Sequence, residues 1–378
     1  ASWPGPRTLV RSWGRLLVAA LLPVAAYAIL QFAGLDPLGF PYDRPASTIG
    51  HPVTLAAVLG LAIPFAAAEV IAAATPRARI AAAAALCLLV VALAATLSRG
   101  PWVGLLAGLG LFAFVMTRPE RARLRNGRLA VVTLGGGMLF VAIGLLAAVN
   151  PARWELVEQR VGALWGHSAE QPLAPRLVYF GAATRMALDH PLTGVGLDSY
   201  ALLYPRYRPV EGPAIGPDNI PTSAHNGYLQ WAATAGIPGL VGYLALVVTI
   251  GVVLRRALRR PLSRGDQLCG AALAAALTSY VVQDLSGWAD VGLSAVVWSL
   301  VGWALLWARS DASARRSPES SRRPSMLRTV VVGVAVCAAV TAVDAVRRLA
   351  VERRLAAASR LEPRVGWPLQ AQLVEAAV

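Results

Sequence analysis

Long uninterrupted apolar runs constrain this chain more than any other feature. Leu-Leu-Val-Ala-Ala at 16–20 opens the first, and there are about nine along the 378 residues. Runs of 18 or more apolar residues cross a hydrocarbon layer of about 30 Å. There the backbone must satisfy its own hydrogen bonds, and a helix does so within each segment. The runs are not one face of amphipathic segments, and only 15% of residues are charged. The expected fold is all-α: a polytopic transmembrane helical bundle with a large helical outer loop.

Spans are read near 16–33, 52–73, 80–97, 101–117, 129–149, 226–254, 267–285, 291–308 and 327–346. Two kinds of connection alternate between them. The N-terminal stretch, 75–79, 118–128, 255–266 and 309–328 together hold 21 Arg against four acidic residues. Segments 34–51, 98–100, 150–225 and 286–290 are neutral or slightly acidic. Strict alternation is the positive-inside pattern, so the Arg-rich loops are cytoplasmic and 150–225 lies outside. The tail departs from it, being basic on the side expected to be outer, and 348–377 reads as the start of a helical hairpin repeat. Four parts follow: N-terminal spans at 1–149, the outer loop at 150–225, C-terminal spans at 226–346 and a tail at 347–378.

The net charge of +15 comes entirely from Arg, since the chain has no Lys. Its clustering between spans reports membrane orientation and not a nucleic-acid partner. Cys87, Cys269 and Cys337 each sit inside an apolar run and are read as small packing residues. His51, His167, His190 and His225 show no paired metal-ligand spacing, and there is no Asp-x-Asp. Neither a metal nor a cofactor is expected. No cleavable leader is evident, and the absent initiator Met suggests a processed or trimmed chain.

Within the outer segment, 151–166 carries Trp154, Val157, Val161, Leu164 and Trp165 on one helical face, suiting an interfacial helix. A second helix is expected at 176–189, then a turn-rich connector at 190–198. Tyr200, Tyr204, Arg206, Tyr207 and Arg208 form an aromatic and basic cluster. Three prolines and two glycines at 211–223 read as a mobile lid.

His225 stands where the outer segment re-enters the membrane, in Ser223-Ala-His-Asn-Gly-Tyr-Leu-Gln-Trp231. Gly236-Ile-Pro-Gly239 begins eleven residues on, about 16 Å deeper along a continuous helix, where it would break or thin that helix. Asn226 follows His225 directly, and orients a ligand or the imidazole, or caps the helix. Arg99 lies at the outer end of the third span, where a membrane-depth Arg needs a partner. Arg176 is comparable; Arg185, Arg206 and Arg208 are lesser candidates. Asp284 and Asp290 read as solvated loop charges.

Three stretches in order resemble the O-antigen ligase and polymerase superfamily: Leu97-Ser-Arg-Gly-Pro-Trp102, Arg176–Tyr200 with Asp-His-Pro-Leu-Thr-Gly-Val-Gly-Leu at 189–197, and His225-Asn226 followed by Gly236-x-x-Gly239. Two positions differ from the family's habit. Leu240 stands where ligases acting on lipid A often carry Thr, and Ile49-Gly-His-Pro52 replaces an Asn-Pro-Asn-like turn.

The resemblance implies a multi-pass enzyme of the bacterial inner membrane with its site on the outer face. Its donor would be a glycan on undecaprenyl diphosphate, and its acceptor a glycan, lipid or protein hydroxyl amid membrane lipid. Such a leaving group needs fixed cations, which Arg supplies bidentately. The attacking hydroxyl must lose a proton, which His225 accepts as general base. One base without a second carboxylate implies inversion by single displacement, without a metal. A transporter or flippase of lipid-linked glycans is the alternative. It calls for ionisable residues at the bilayer midplane, whereas Glu69 and Asp344 lie near span ends.

Overall fold

Residues 6–36, 44–117, 174–208, 220–287 and 290–309 are described in the computed structural model of the chain. The chain divides into two units, 1–315 and 316–378, and all of these residues belong to the first. The expected spans at 129–149 and 327–346, the interfacial helix at 151–166, most of the lid and the tail lie outside the described residues.

The described residues form nine α-helices and no strand. They are α1 (Pro6–Phe32), α2 (Pro52–Ala72), α3 (Pro76–Ala95), α4 (Arg99–Met116), α5 (Ala174–Asp189), α6 (Tyr200–Tyr207), α7 (Gly227–Leu258), α8 (Arg264–Gln283) and α9 (Val291–Arg309). Pro52 and Pro76 open α2 and α3 at positions where a missing N–H costs nothing. Thr75 caps α3 by accepting from the Ala78 N–H at 3.2 Å, and Ser263 caps α8 from Asp266 at 3.2 Å.

Six of these helices are long and apolar enough to cross a membrane. The expected span at 267–285 exists as α8 but is not among them. α8 is instead a buried helix of the bundle, as α2 is, rich in Ala and covered on most of its length. Its small residues admit α4 at very short range. A Cβ at Gly104 would collide with the Ser279 carbonyl oxygen, and one at Gly108 with that of Ala275. Close backbone approach is the usual source of cohesion between helices in lipid, where apolar burial gives little.

Two ends of the bundle differ in chemistry. At one, Arg7 and Arg11 each lie 3.7 Å from the Asp266 carboxylate, and Arg15 pairs with Glu69 at 2.9 Å. Arg264 donates to the Ile71 carbonyl and Arg260 to that of Ala308, both at 3.3 Å. The described Arg-rich segments therefore share one end, as the alternation requires. The other end, about 30 Å away along α2, gathers Arg44, His51, the 96–99 turn, His225 and Asp290. α5 and α6 belong to that second end, packed on the beginning of α7.

Gly108→Leu is expected to lower the melting temperature in detergent, through overpacking worth about 1–3 kcal/mol. Gly110→Leu, on a face with nothing within 4 Å, is expected to melt like the original chain.

Candidate active site

The second end is organised by a reversal inside α7. Gly236 has φ 70° and ψ −179°, outside helical space, and Pro238 follows without an N–H. On a straight helix Tyr228 and Tyr243 would be about 22 Å apart. Their ring centroids are 5.7 Å apart, and Trp231 stacks on Tyr243 at 5.5 Å. The expected single span at 226–254 is thus two arms, 227–235 and 237–258, and Gly236 is not about 16 Å below His225. The first arm packs with the outer segment; the second forms the span.

The turn after α5 clasps this break. Val195 N–H donates to the Ala233 carbonyl at 2.8 Å, Gly196 N–H to Thr234 at 3.1 Å, and Ile237 N–H to Pro191 at 2.8 Å. Gly194, at φ 64°, lies with its Cα against the backbone of 234–236, while Gly236 lies against the Leu192 carbonyl. A side chain at either would strain the backbone and collide with the other strand. Gly239 faces the Ala235 methyl. Two motifs about forty residues apart in sequence are halves of one joint.

His225 precedes the first arm in a left-handed conformation, φ 52°. Its neighbours fix it there. Ala224 N–H donates to the Gln230 side-chain oxygen at 2.8 Å, and His225 N–H to Ser223 Oγ at 3.3 Å. Asn226 caps α7 by accepting from Leu229 N–H at 3.0 Å, and its amide donates to the Leu285 carbonyl at 3.0 Å. Both ends of the Asn226 amide are thus engaged in holding the turn against α8. Gly227 N–H adds a 2.7 Å bond to the Asp284 carbonyl. The half-buried His225 ring packs 5.6 Å from Tyr179 of α5. Burial lowers its pKa below the usual 6.5, and the charge of Arg176 lowers it further, with His51 contributing.

Arg176, half-buried on α5, is therefore brought to His225, and burial lowers its own pKa. Arg185 is not. Nine residues make about two and a half turns, so it leaves α5 on the opposite face, exposed. Arg206 is exposed and Arg208 half-buried on α6, beyond a tyrosine core. Tyr200, Tyr204 and Tyr207 are buried rather than presented, with Tyr200 donating to the Tyr179 carbonyl at 2.9 Å. They build the outer segment's core. Arg99 heads α4, half-buried, straight after a turn in which Leu97 has φ 51°.

Of the two carboxylates expected to be solvated loop charges, Asp290 is exposed as expected and Asp284 is not. Asp284 is buried, 2% exposed, and accepts from the Tyr243 hydroxyl at 2.8 Å. Asp290 accepts from Thr54 Oγ1 at 2.6 Å and caps α9 through Leu293 N–H at 2.9 Å. Sequence spacing could not show this, because Thr54 and Asp290 are 236 positions apart. Arg44 was also missed. It donates to the Thr96 carbonyl at 3.4 Å and to Ser98 Oγ at 3.5 Å, beside Arg99.

A cavity of about 360 Å³ lies at membrane depth between α4, the second arm of α7, α8 and α9. Leu111, Leu246, Ile250, Leu277 and Val297 are among its apolar walls, and Tyr243 stands in its lining. None of Arg99, Arg176 or His225 lines it; its one charged lining residue is Arg255. Tyr243 connects the two regions, since it bonds the same Asp284 that holds Gly227. Among the described residues no group of His, Cys, Asp and Glu is placed to hold a metal ion.

Residues 83–244 match the family model described as O-antigen ligase. That stretch contains Arg99, Arg176, His225, Gly236 and Gly239, and leaves out His51 and Asp290. No curated protein matches the chain.

Gly236→Ala is expected to cost about 1 kcal/mol or more, from positive φ together with the Leu192 collision. Gly242→Ala, with nothing within 4 Å, is the control. Equal melting temperatures for the two variants would refute the joint.

Proposed function

From the O-antigen ligase domain formed by residues 83–244, we propose that the chain is a membrane glycosyltransferase acting on undecaprenyl-diphosphate-linked glycan. It transfers or polymerises that glycan onto a hydroxyl of a sugar, lipid or protein. The observation that carries this reading is His225. Its backbone is held in a left-handed conformation, and its ring is kept neutral beside Arg176, at the end away from the Arg-rich loops. By the positive-inside rule that end faces out of the cytoplasm.

His225 accepts the acceptor's hydroxyl proton as the oxygen attacks the anomeric carbon. The glycosidic bond forms as the carbon–phosphate oxygen bond breaks, and the electron pair leaves on the diphosphate. Arg99 and Arg176 receive that charge through forked hydrogen bonds. Displacement from the opposite face inverts the anomeric carbon. Asn226 holds the turn that aims the imidazole. The apolar cavity behind Tyr243 suits part of an isoprenoid chain.

His225→Ala is expected to abolish transfer, with donor binding and melting temperature retained. His225→Gln separates hydrogen bonding from proton transfer, since an amide cannot take the proton; near-normal turnover there would exclude the base. Because the imidazole pKa is lowered, the ring stays neutral to below pH 6.5. Activity is then lost only as pH falls through that lowered value, because the protonated ring has no lone pair. Arg176→Lys keeps the charge but loses the fork and is expected to slow transfer. Product size with and without a separate acceptor distinguishes polymerisation from ligation.

A further inference from the structure

His51 is a second histidine at this end, outside the family match, and its surroundings fix its chemistry. It precedes Pro52 at the head of α2, with an exposed ring. Its Nδ1 lies 3.4 Å from Thr54 Oγ1, and that hydroxyl lies 2.6 Å from Asp290 Oδ2. A hydroxyl has one proton, and a carboxylate at 2.6 Å can only accept it. Thr54 Oγ1 therefore has only lone pairs to offer His51, so Nδ1 carries the ring's hydrogen. Nε2 is left bare, as a proton acceptor. Asp290, Thr54 and His51 make a chain in which a buried hydroxyl joins a carboxylate to an imidazole, the arrangement that orients a base.

This histidine belongs to the same cluster as His225. Asp290 stands five residues after Leu285, whose carbonyl holds Asn226. The charges of Arg44 and Asp290 act on His51, and that of His51 acts on His225. Arg44 lies on the segment before α2, Asp290 at the head of α9, and His225 at the head of α7 with Arg176 of α5 behind it. Arg99 heads α4 beside the Ser98 that Arg44 contacts, and Asp284 at the end of α8 is engaged by Tyr243. Burial and Arg44 lower the His51 pKa, while Asp290 raises it. The ring is neutral at physiological pH and sits at the exposed side of the site.

We propose that His51 is the proton relay of the transfer, receiving at Nε2 the proton that His225 takes from the acceptor and releasing it to water. The proposal rests on the glycosyl-transfer reading above. In balance, the acceptor loses one proton and gains the glycan, and the diphosphate leaves with the bonding electrons. His225 is protonated and then restored by His51, which in turn is restored by solvent. Thr54 and Asp290 are positioning residues, acting through the ring that they orient. The need for a relay follows from His225 itself. A half-buried imidazolium facing Arg176 is unfavourable, and His51, a solvent-exposed residue beside Asp290, gives the proton a way out to water.

Two measurements test this. The first uses imidazole-labelled histidine in the full chain and NMR, and needs no substrate. His51 is expected to carry its hydrogen on Nδ1, to lose that preference in Thr54→Val, and to shift its titration in His225→Gln. A mixed tautomer, or no coupling to His225, overturns the relay. The second uses lipid-linked glycan extracted from the producing cell as donor and follows transfer against pH. His51→Gln is expected to lower kcat by about 10- to 100-fold, less than loss of the base, with KM for donor unchanged.

Asp290→Asn keeps the cap on α9 and the acceptor for Thr54 but removes a charge that raises the His51 pKa. Its acid limb is therefore expected to move to lower pH, which a purely structural loss would not do. If the original chain transfers glycan while His51→Gln and Asp290→Asn keep its rate and pH profile, the relay is wrong and the transferase reading stands. If the original chain transfers nothing from any extract, the transferase reading falls, and the NMR coupling alone decides whether the two rings exchange charge.

Discussion

Everything at the functional end depends on two backbones meeting without side chains between them. Gly194 and Gly236 allow the turn after α5 to lie on the break in α7, where three backbone hydrogen bonds replace those a continuous helix would have made. Ile237 N–H, which a straight helix would send to Ala233, goes to Pro191, and Ala233 receives Val195. The break is thereby satisfied inside the protein, a condition for irregular backbone near a membrane. It also has a directional effect. Because α7 reverses, its first arm can pack with α5 and α6 while its second arm spans the bundle. His225 is then carried by an outer element and anchored to a membrane helix at once.

The anchoring is through α8, the least apolar of the bundle helices. Asn226 and Gly227 bond to Leu285 and Asp284 just after its end, and Tyr228 to its last turn by a hydroxyl donating to the Val281 carbonyl at 2.7 Å. α8 is in turn held at very short range by the glycines of α4, whose first residue is Arg99. Two candidate residues from distant parts of the sequence are thus referred to one buried helix. At the Arg-rich end the logic differs. There, Asp266 and Glu69 neutralise arginines across helix ends. At the functional end Asp284 and Asp290 instead accept hydrogen bonds from neutral groups: Tyr243, Thr54 and the first N–H of the α9 cap.

Length and apolarity were enough to find the six described spans, and the spacing of Arg predicted which ends lie together. The α5 helix was visible from its pattern as well. What the sequence hid was chiefly non-local. A Gly-Ile-Pro-Gly stretch announces a break, but the angle of that break is set by the Pro191–Gly196 turn docking into it. Arg44, Thr54 and Asp290 looked like ordinary loop and span residues because their partners lie far along the chain. Tyr200, Tyr204 and Tyr207 stood out only as part of an aromatic and basic cluster, since periodicity over eight residues cannot distinguish a small core from an exposed patch. Helical phase alone puts Arg185 on the face of α5 opposite Arg176.

The left-handed backbone at His225 ties the fold to the chemistry. Such a conformation is uncommon for a residue with a Cβ, although histidine tolerates it better than most, and it persists only where the surroundings impose it. Here they do so from both sides. The Gln230 side-chain oxygen holds Ala224 before it, and the Asn226 cap and Gly227–Asp284 bond hold the residues after it. An extended or helical His225 would turn its ring away from Tyr179 and from Arg176. The same clamps explain why Asn226 can be indispensable without touching a substrate. Its amide nitrogen and oxygen each make a bond that keeps the start of α7 against the end of α8, and the direction of the neighbouring imidazole follows from that constraint.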